Sequence, residues 1–267
     1  NVDAENKFGR ISEVKLETEY RDGKVILSDL YFTAPFKIMQ PFYPRPDYMQ
    51  VMVLSASAGI MEGDVQEFSL HIKEGTQMEY LSQAYEKIHK MKEGKARRHT
   101  KIKVEKNAFL KYAPLPTIPF KDSAFENDLE VDLADDTSHF LFQEILSCGR
   151  AACKERFAYR MYHNQVSVRK KGQLIYRDNT RYEPLDFYME GLGMYEGYTH
   201  LANLVFFNIE KSEKWITEVR ELIDRISDIE GGVTRITSGD VAVRILGKGA
   251  ESLLKILDKI QKFSPTP

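Results

Sequence analysis

FSLHIKEGTQMEYLSQ, residues 68–83, sets two runs of strand-like residues on either side of a Glu-Gly-Thr turn at 74–76. The same construction returns in TKIKVEKNAFLKYAP (100–114), which turns at Lys106–Asn107, and in NDLEVDLADDTSHFLFQEIL (127–146), which turns at Asp135–Asp136. It returns again in NQVSVRKKGQLIYRD (164–178), which turns at Lys171–Gly172. In each, apolar and polar residues alternate on at least one side of the turn, the signature of a half-buried strand. The turns recur every roughly 30–35 residues, a period suited to stacked units. An antiparallel sandwich also spaces its hairpins regularly. The similar length of the units favours a β-helix-like stack, in which each rung buries a face against the next.

The run 78–88 also places Met78, Leu81, Tyr85 and Ile88 at helical spacing, but the flanking repeat argues for strand through about Gln83. PLPTIPF (114–120) carries three prolines and reads as a fixed extended turn, excluded from helix and central strand. Beyond residue 207 the pattern changes. Ser212 is placed to cap a helix with Trp215, Ile216, Val219, Leu222, Ile223 and Ile226 as its apolar stripe, ended by Gly231–Gly232. VTRI and VAVRIL follow as two strands across a Thr237–Asp240 turn. A second helix over about 250–262 turns Leu253, Leu254, Leu257 and Ile260 inward. The expected architecture is therefore mainly β: a stack over residues 1–207, with a small α/β appendage of two helices, 208–267, packed on it.

Composition narrows the function classes. The 267 residues carry a formal net charge of −2, which gives no global field for nucleic acid or an anionic membrane. Lys90, Lys92, Lys95, Arg97 and Arg98 cluster locally and read as a solvated loop or an anion contact. Cys148 and Cys153 are too few for a disulfide-stapled domain and complete no zinc motif, so reduced thiols are expected. No apolar run reaches the roughly 18 residues of a membrane span. The opening NVDAENKFGR is polar and lacks an initiator methionine, so it reads as trimmed and without a signal-peptide core. A cytoplasmic protein is expected.

No local catalytic motif is present. The six histidines show neither H-x-x-x-H nor H-x-H spacing, and no nucleophile elbow, Walker loop or dinucleotide fingerprint occurs. Two carboxylates do stand out. Glu144 shares a strand face with Phe140, Phe142 and Leu146, and Asp64 shares parity with Gln66, Phe68, Leu70 and Ile72. A carboxylate on an apolar face is costly unless paired, protonated or wet. Each either pairs with an arginine or caps a backbone group, or it lines an internal polar path.

Five stretches, in order, then carry a resemblance: SAGIMEGDVQEFSLHI (57–72), SQAYEKIH (82–89), PLPTIPF (114–120), EILSCGR (144–150) and EGYTHLANLVFF (196–207). Together the chain resembles the urease accessory protein family UreD, also called UreH. Gly63, Gln83, Lys87, Pro116, Pro119, Gly149 and Arg150 are the motif positions, read as structural. The resemblance implies a β-helix-like scaffold, not an enzyme, that binds the accessory protein UreF and, through it, the GTPase UreG, and docks on apo-urease to help deliver nickel. It implies no tightly bound cofactor, with nickel only in transit. Acidic residues of an internal tunnel map onto Asp64 and Glu144, and Glu67 is a further tunnel candidate. Glu62 stands where family members often carry glycine, and Tyr85 and Glu86 replace smaller residues. Tyr195, Tyr198 and Phe206 are candidate surface contacts, with core packing the alternative for Phe206. Two other classes are a metal-dependent hydrolase using Asp64, Glu144 and a histidine such as His89, and a β-solenoid ligand binder.

Overall fold

The structure, a computed structural model, describes residues 11–236 and 238–263; the opening decapeptide and Thr237 of the expected turn lie outside the described residues. The chain starts with β1 (Ile11–Arg21), β2 (Lys24–Phe32), the short β3 (Phe36–Ile38) and β4 (Phe42–Arg45), and β5 (Tyr48–Ser55). Three coils follow. The first is β6 (Val65–Ile72), β7 (Gln77–Gln83) and β8 (Glu86–Ile88). The second is β9 (Ala96–Val104), β10 (Phe109–Ala113) and β11 (Thr117–Pro119), and the third is β12 (Ala124–Leu133) with β13 (His139–Ser147). The hairpin β14 (Met161–Lys170) and β15 (Gln173–Tyr182) comes next, then β16 (His200–Phe207), α1 (Glu213–Asp224), β17 (Ile229–Arg235), β18 (Val241–Gly247) and α2 (Ala250–Lys262).

Each coil passes from one sheet to the other, so equivalent strands stack in parallel. The seven-stranded sheet runs β15-β14-β12-β9-β6-β1-β2, and the larger sheet runs β17-β18-β16-β13-β10-β7-β5-β3. The turns stack as well: the Gly75 amide donates to the Lys106 carbonyl (3.2 Å) and the Asn107 amide to the Thr137 hydroxyl (2.9 Å). The mainly β, β-helix-like stack expected from the repeat is present. The fourth repeat unit differs from the first three, because β14 and β15 pair antiparallel within one sheet.

Between the sheets, Phe68, Leu70, Ile102 and Leu129 meet Met78, Leu110 and Phe140. Tyr80, Tyr112 and Phe142 occupy equivalent positions on successive rungs, with rings stacked at 4.7 and 6.5 Å. Parallel strands lie about 4.7–4.9 Å apart, so identical rung positions bring rings into contact automatically. The two helices cover the outer face of the larger sheet, where Trp215, Ile216, Leu253 and Leu257 pack on Leu141, Leu204 and Phe206. Ser212 caps α1 by accepting the Trp215 amide at 3.1 Å.

Two local expectations are corrected. Thr117–Pro119 within PLPTIPF is a short strand beside β8. Proline lacks an amide but keeps its carbonyl, and here Pro116 accepts from the Glu86 amide while Phe120 donates to Ile88, both at 2.9 Å. Gly231–Gly232 does not end α1, which stops at Asp224, but sits inside β17. A β-carbon on Gly231 would come within 2.3 Å of the Arg244 carbonyl, so the close pairing with β18 accounts for that glycine.

Candidate functional site: a carboxylate between the sheets

Alternation along β13 directs Phe140, Phe142, Glu144 and Leu146 to the space between the sheets, with Leu141 and Ile145 turned out beneath the helices. Glu144 is half-buried and lines an enclosed cavity of about 50 Å³, large enough for a few water molecules. Its carboxylate accepts from the Asn164 amide on β14 at 2.9 and 3.2 Å and from the Asn203 amide on β16 at 2.7 Å. Those amides are held in turn: Asn164 accepts from Asn127, and Asn203 accepts from Arg244, each at 2.7 Å. Arg244 also pairs with Asp178, tying β18 to β15 at the end of the stack. Burial pushes the Glu144 carboxyl up to about 7, against the Asn203 and Asn164 hydrogen bonds, which favour its charge; Asp178 adds to the rise.

The cavity meets a second one, of about 120 Å³, that reaches Ser57, Gly59 and Gln83; the two share Glu86, Arg98, Pro114 and Leu115. Arg98 stands at that junction. Its guanidinium donates to Glu86 (2.7 Å) and Gln66 (2.9 Å) and lies 4.8 Å from the Phe68 ring. Burial works against its charge, but the Glu86 carboxylate outweighs that and raises its pKa. On the other side, Leu201 also lines a cleft formed by Tyr182, Tyr195, Gly231 and Arg244.

The structure separates the three acidic candidates. Glu144 is in the cavity. Asp64 lies in the loop before β6, where it accepts the Met61 amide at 2.8 Å, and does not line that cavity. Glu67 is exposed on the outer face of β6, beside His99. His89 donates from Nε2 to the Ala58 carbonyl (2.9 Å), and among the described residues Asp64, Glu144 and His89 do not gather into one cluster.

The motif positions converge instead on the third side of the stack. Gly63 turns the chain into β6, Gln83 ends β7, and Lys87 in β8 accepts the Ile60 amide at 2.8 Å. Pro116 immediately precedes β11, and Pro119 is its last residue, opposite Ile88 of β8. A β-carbon on Gly149 would meet the Glu155 carbonyl at 2.2 Å and the Pro119 carbonyl at 3.3 Å. Arg150 pairs with Glu155 at 2.8 Å and lies 4.2 Å from the Phe120 ring. Glu62, the departure from the usual glycine, caps a loop by accepting the amides of Lys92 (3.0 Å) and Glu93 (3.1 Å).

Other expectations are revised by burial. Arg98, grouped by sequence with a solvated basic loop, is interior, whereas Lys95 and Arg97 both pair with Glu126. Tyr195 and Phe206 are buried and supply no surface contact. The exposed apolar residues of that region are Leu185, Phe187, Tyr188 and Leu192. Sequence reading also missed Asn164, Asn203 and Arg244, polar residues of the cavity side whose only local signal is inward parity among apolar neighbours. Cys148 and Cys153 are free thiols. No helix among the described residues is long and apolar enough to cross a membrane.

Comparison with known proteins bears on this arrangement. The family described as "UreD urease accessory protein" matches residues 11–265. A urease accessory protein UreD of Acetivibrio thermocellus is 38% identical over 97% of this chain and 98% of its own length. A urease accessory protein UreH of Helicobacter pylori strain HPAG1 is 37% identical over 97% of this chain and 96% of its own length. A UreD of Flavobacterium johnsoniae is 29% identical over 94% of this chain and 91% of its own. These relatives are named as accessory proteins rather than as catalysts. With the match running through nearly every strand and both helices, the chain belongs to the UreD family of urease accessory proteins.

Proposed function

We propose that this protein is a urease-maturation scaffold of the cytoplasm: it binds a UreF-like accessory protein, reaches a UreG-like GTPase through it, and docks on apo-urease to help deliver nickel. Nickel is cargo here rather than a resident cofactor, and the protein is not itself an enzyme. Family membership supports the maturation role. The observation that carries the delivery step is Glu144, a carboxylate held by two side-chain amides inside a cavity between the sheets.

In this reading the linked cavities form the route, and Glu144 is its oxygen ligand. A single carboxylate binds a divalent cation weakly enough to release it, whereas imidazole and thiolate sets hold nickel more tightly. A carboxyl that titrates near neutrality exchanges a proton for a cation at little cost. The Arg98–Glu86 pair would be the narrow point, and Arg244 guards the other end through Asn203. Of the acidic candidates, Glu144 is the one whose placement supports transit; Asp64 serves the turn into β6, and Glu67 belongs to the outer face. For partner binding, the exposed Leu185, Phe187, Tyr188 and Leu192 of the loop before β16 offer apolar surface of the kind that interfaces cover.

The test is co-expression with UreF-like and UreG-like proteins and recovery of the complex. A complex containing all three, able to associate with apo-urease, is expected. Recovery of this chain alone, under conditions where the other two associate, would sink the scaffold reading.

A further inference from the structure

We propose that the outer face of the seven-stranded sheet carries an exchangeable site for a first-row divalent transition-metal ion, built on His99, Asp128 and Glu130 with Glu67 at its rim. This site is separate from the route past Glu144 and lies on the opposite face of the sheet. Parallel register sets Glu67 of β6, His99 of β9 and Asp128 of β12 side by side on neighbouring strands. Their sequence neighbours Gln66, Arg98 and Asn127 point to the interior, so strand alternation sends these three outward. Glu130, two residues beyond Asp128, shares that face.

The geometry is that of ligands gathered around a common point. One donor atom each from His99, Asp128 and Glu130 lies within 4.8 Å of the others. His99 Nε2 is 3.9 Å from Asp128 and 3.8 Å from Glu130, and Nδ1 is 3.8 Å from Glu67. These separations exceed hydrogen-bonding distance. His99 Nε2 is shut off from solvent and has no hydrogen-bond partner among the described residues, although the ring as a whole is partly exposed. Leaving such an atom unsatisfied is unfavourable.

Charge supplies a second argument. Among the described residues, Glu67, Asp128 and Glu130 form no ion pair with any lysine or arginine, although Lys101 stands opposite Glu130 in the strand register; the basic side chain within 4 Å of them is His99. Glu126, on the same strand and the same face, takes both Lys95 and Arg97. Metal–donor bonds of about 2.0–2.2 Å set donors roughly 3.0–3.5 Å apart, so exposed carboxylates need only a small rotation to close on an ion. One imidazole with carboxylates suits nickel, zinc or copper better than magnesium or calcium. The remaining coordination positions open to solvent, which makes the ion exchangeable rather than structural.

The experiment is isothermal titration calorimetry of the full, untagged chain with Ni²⁺, in a Glu144→Gln background that removes the interior carboxylate, and again with Mg²⁺ present. One Ni²⁺ equivalent that Mg²⁺ does not displace is expected. Adding His99→Gln, or Asp128→Asn with Glu130→Gln should the histidine variant fail to fold, is expected to weaken that binding about ten-fold or more. Undiminished binding in the substituted outer-face variant overturns the proposal. So does disappearance of the equivalent on Glu144→Gln alone, which would place the ion in the interior. The readout needs neither urease nor a partner, so it is independent of the maturation reading.

Discussion

Asn164, on the seven-stranded sheet, donates its side-chain amide to both oxygens of Glu144, on the larger sheet, at 2.9 and 3.2 Å. One carboxylate therefore links the two walls of the stack across its cavity, and its ionisation is coupled to folding. The folded-state value of about 7 lies above the ordinary 4.5, so the folded chain keeps a proton that the unfolded chain releases between those values. The contribution to stability is full below pH 4.5 and is lost as pH rises to about 7, by roughly 3 kcal/mol. Urea titrations across this range should show the decline in the parent protein, and Glu144→Gln should flatten it. An unchanged slope in the variant would assign the pH dependence to other groups.

Arg98 and Glu86 form a buried ion pair completed by Gln66. Removing one charge strands the other. Arg98→Ala should therefore lower stability by about 3–5 kcal/mol, whereas Arg98→Met combined with Glu86→Leu should recover most of the loss. Chemical denaturation of the single and double variants measures both. A single variant that is no less stable than the parent would show the pair to be dispensable.

Gly149 adopts φ +130°, with the Glu155 carbonyl where a side chain would go. Gly172 also has positive φ (+77°) but faces open space. Gly149→Ala should thus cost several kcal/mol, and Gly172→Ala about 1 kcal/mol, the backbone penalty alone. Thermal unfolding of the two variants distinguishes steric from conformational cost. Equal losses would mean that the chain around Glu155 yields freely.

Leu185 and Leu192 are 90% and 94% exposed, in a loop whose Tyr195 is fully buried. Leu185→Asp with Leu192→Asp should leave the melting temperature within about 1–2 °C of the parent, because surface substitutions change stability little. Affinity for the UreF-like partner should fall about ten-fold or more if this loop is covered in the complex. Full affinity in a folded double variant moves the contact elsewhere.

Much of the fold was legible because a period-2 pattern repeated with turn residues at regular spacing leaves few architectures. Ser212, Leu253 and Ile260 likewise announced their helices through local capping and spacing. What failed was whatever depended on distant strands. The interior position of Arg98 requires Glu86 from β8, and nothing in the basic run 95–98 indicates it. Gly231 resembles a helix stop until β18 is laid beside it. Glu144 was identified from its apolar companions, but Asn164 and Asn203 become its partners only through coil stacking. Glu67 and His99 sit thirty-two positions apart and meet only through parallel register.

Transit of nickel past Glu144 is read from the nickel content of urease matured in cells supplied with Glu144→Ala in place of the parent chain, alongside recovery of the UreF-like complex. The expected result is an intact complex with urease nickel and activity both well below the parent level. Urease with full nickel, matured by a Glu144→Ala chain in a normal complex, would contradict the route.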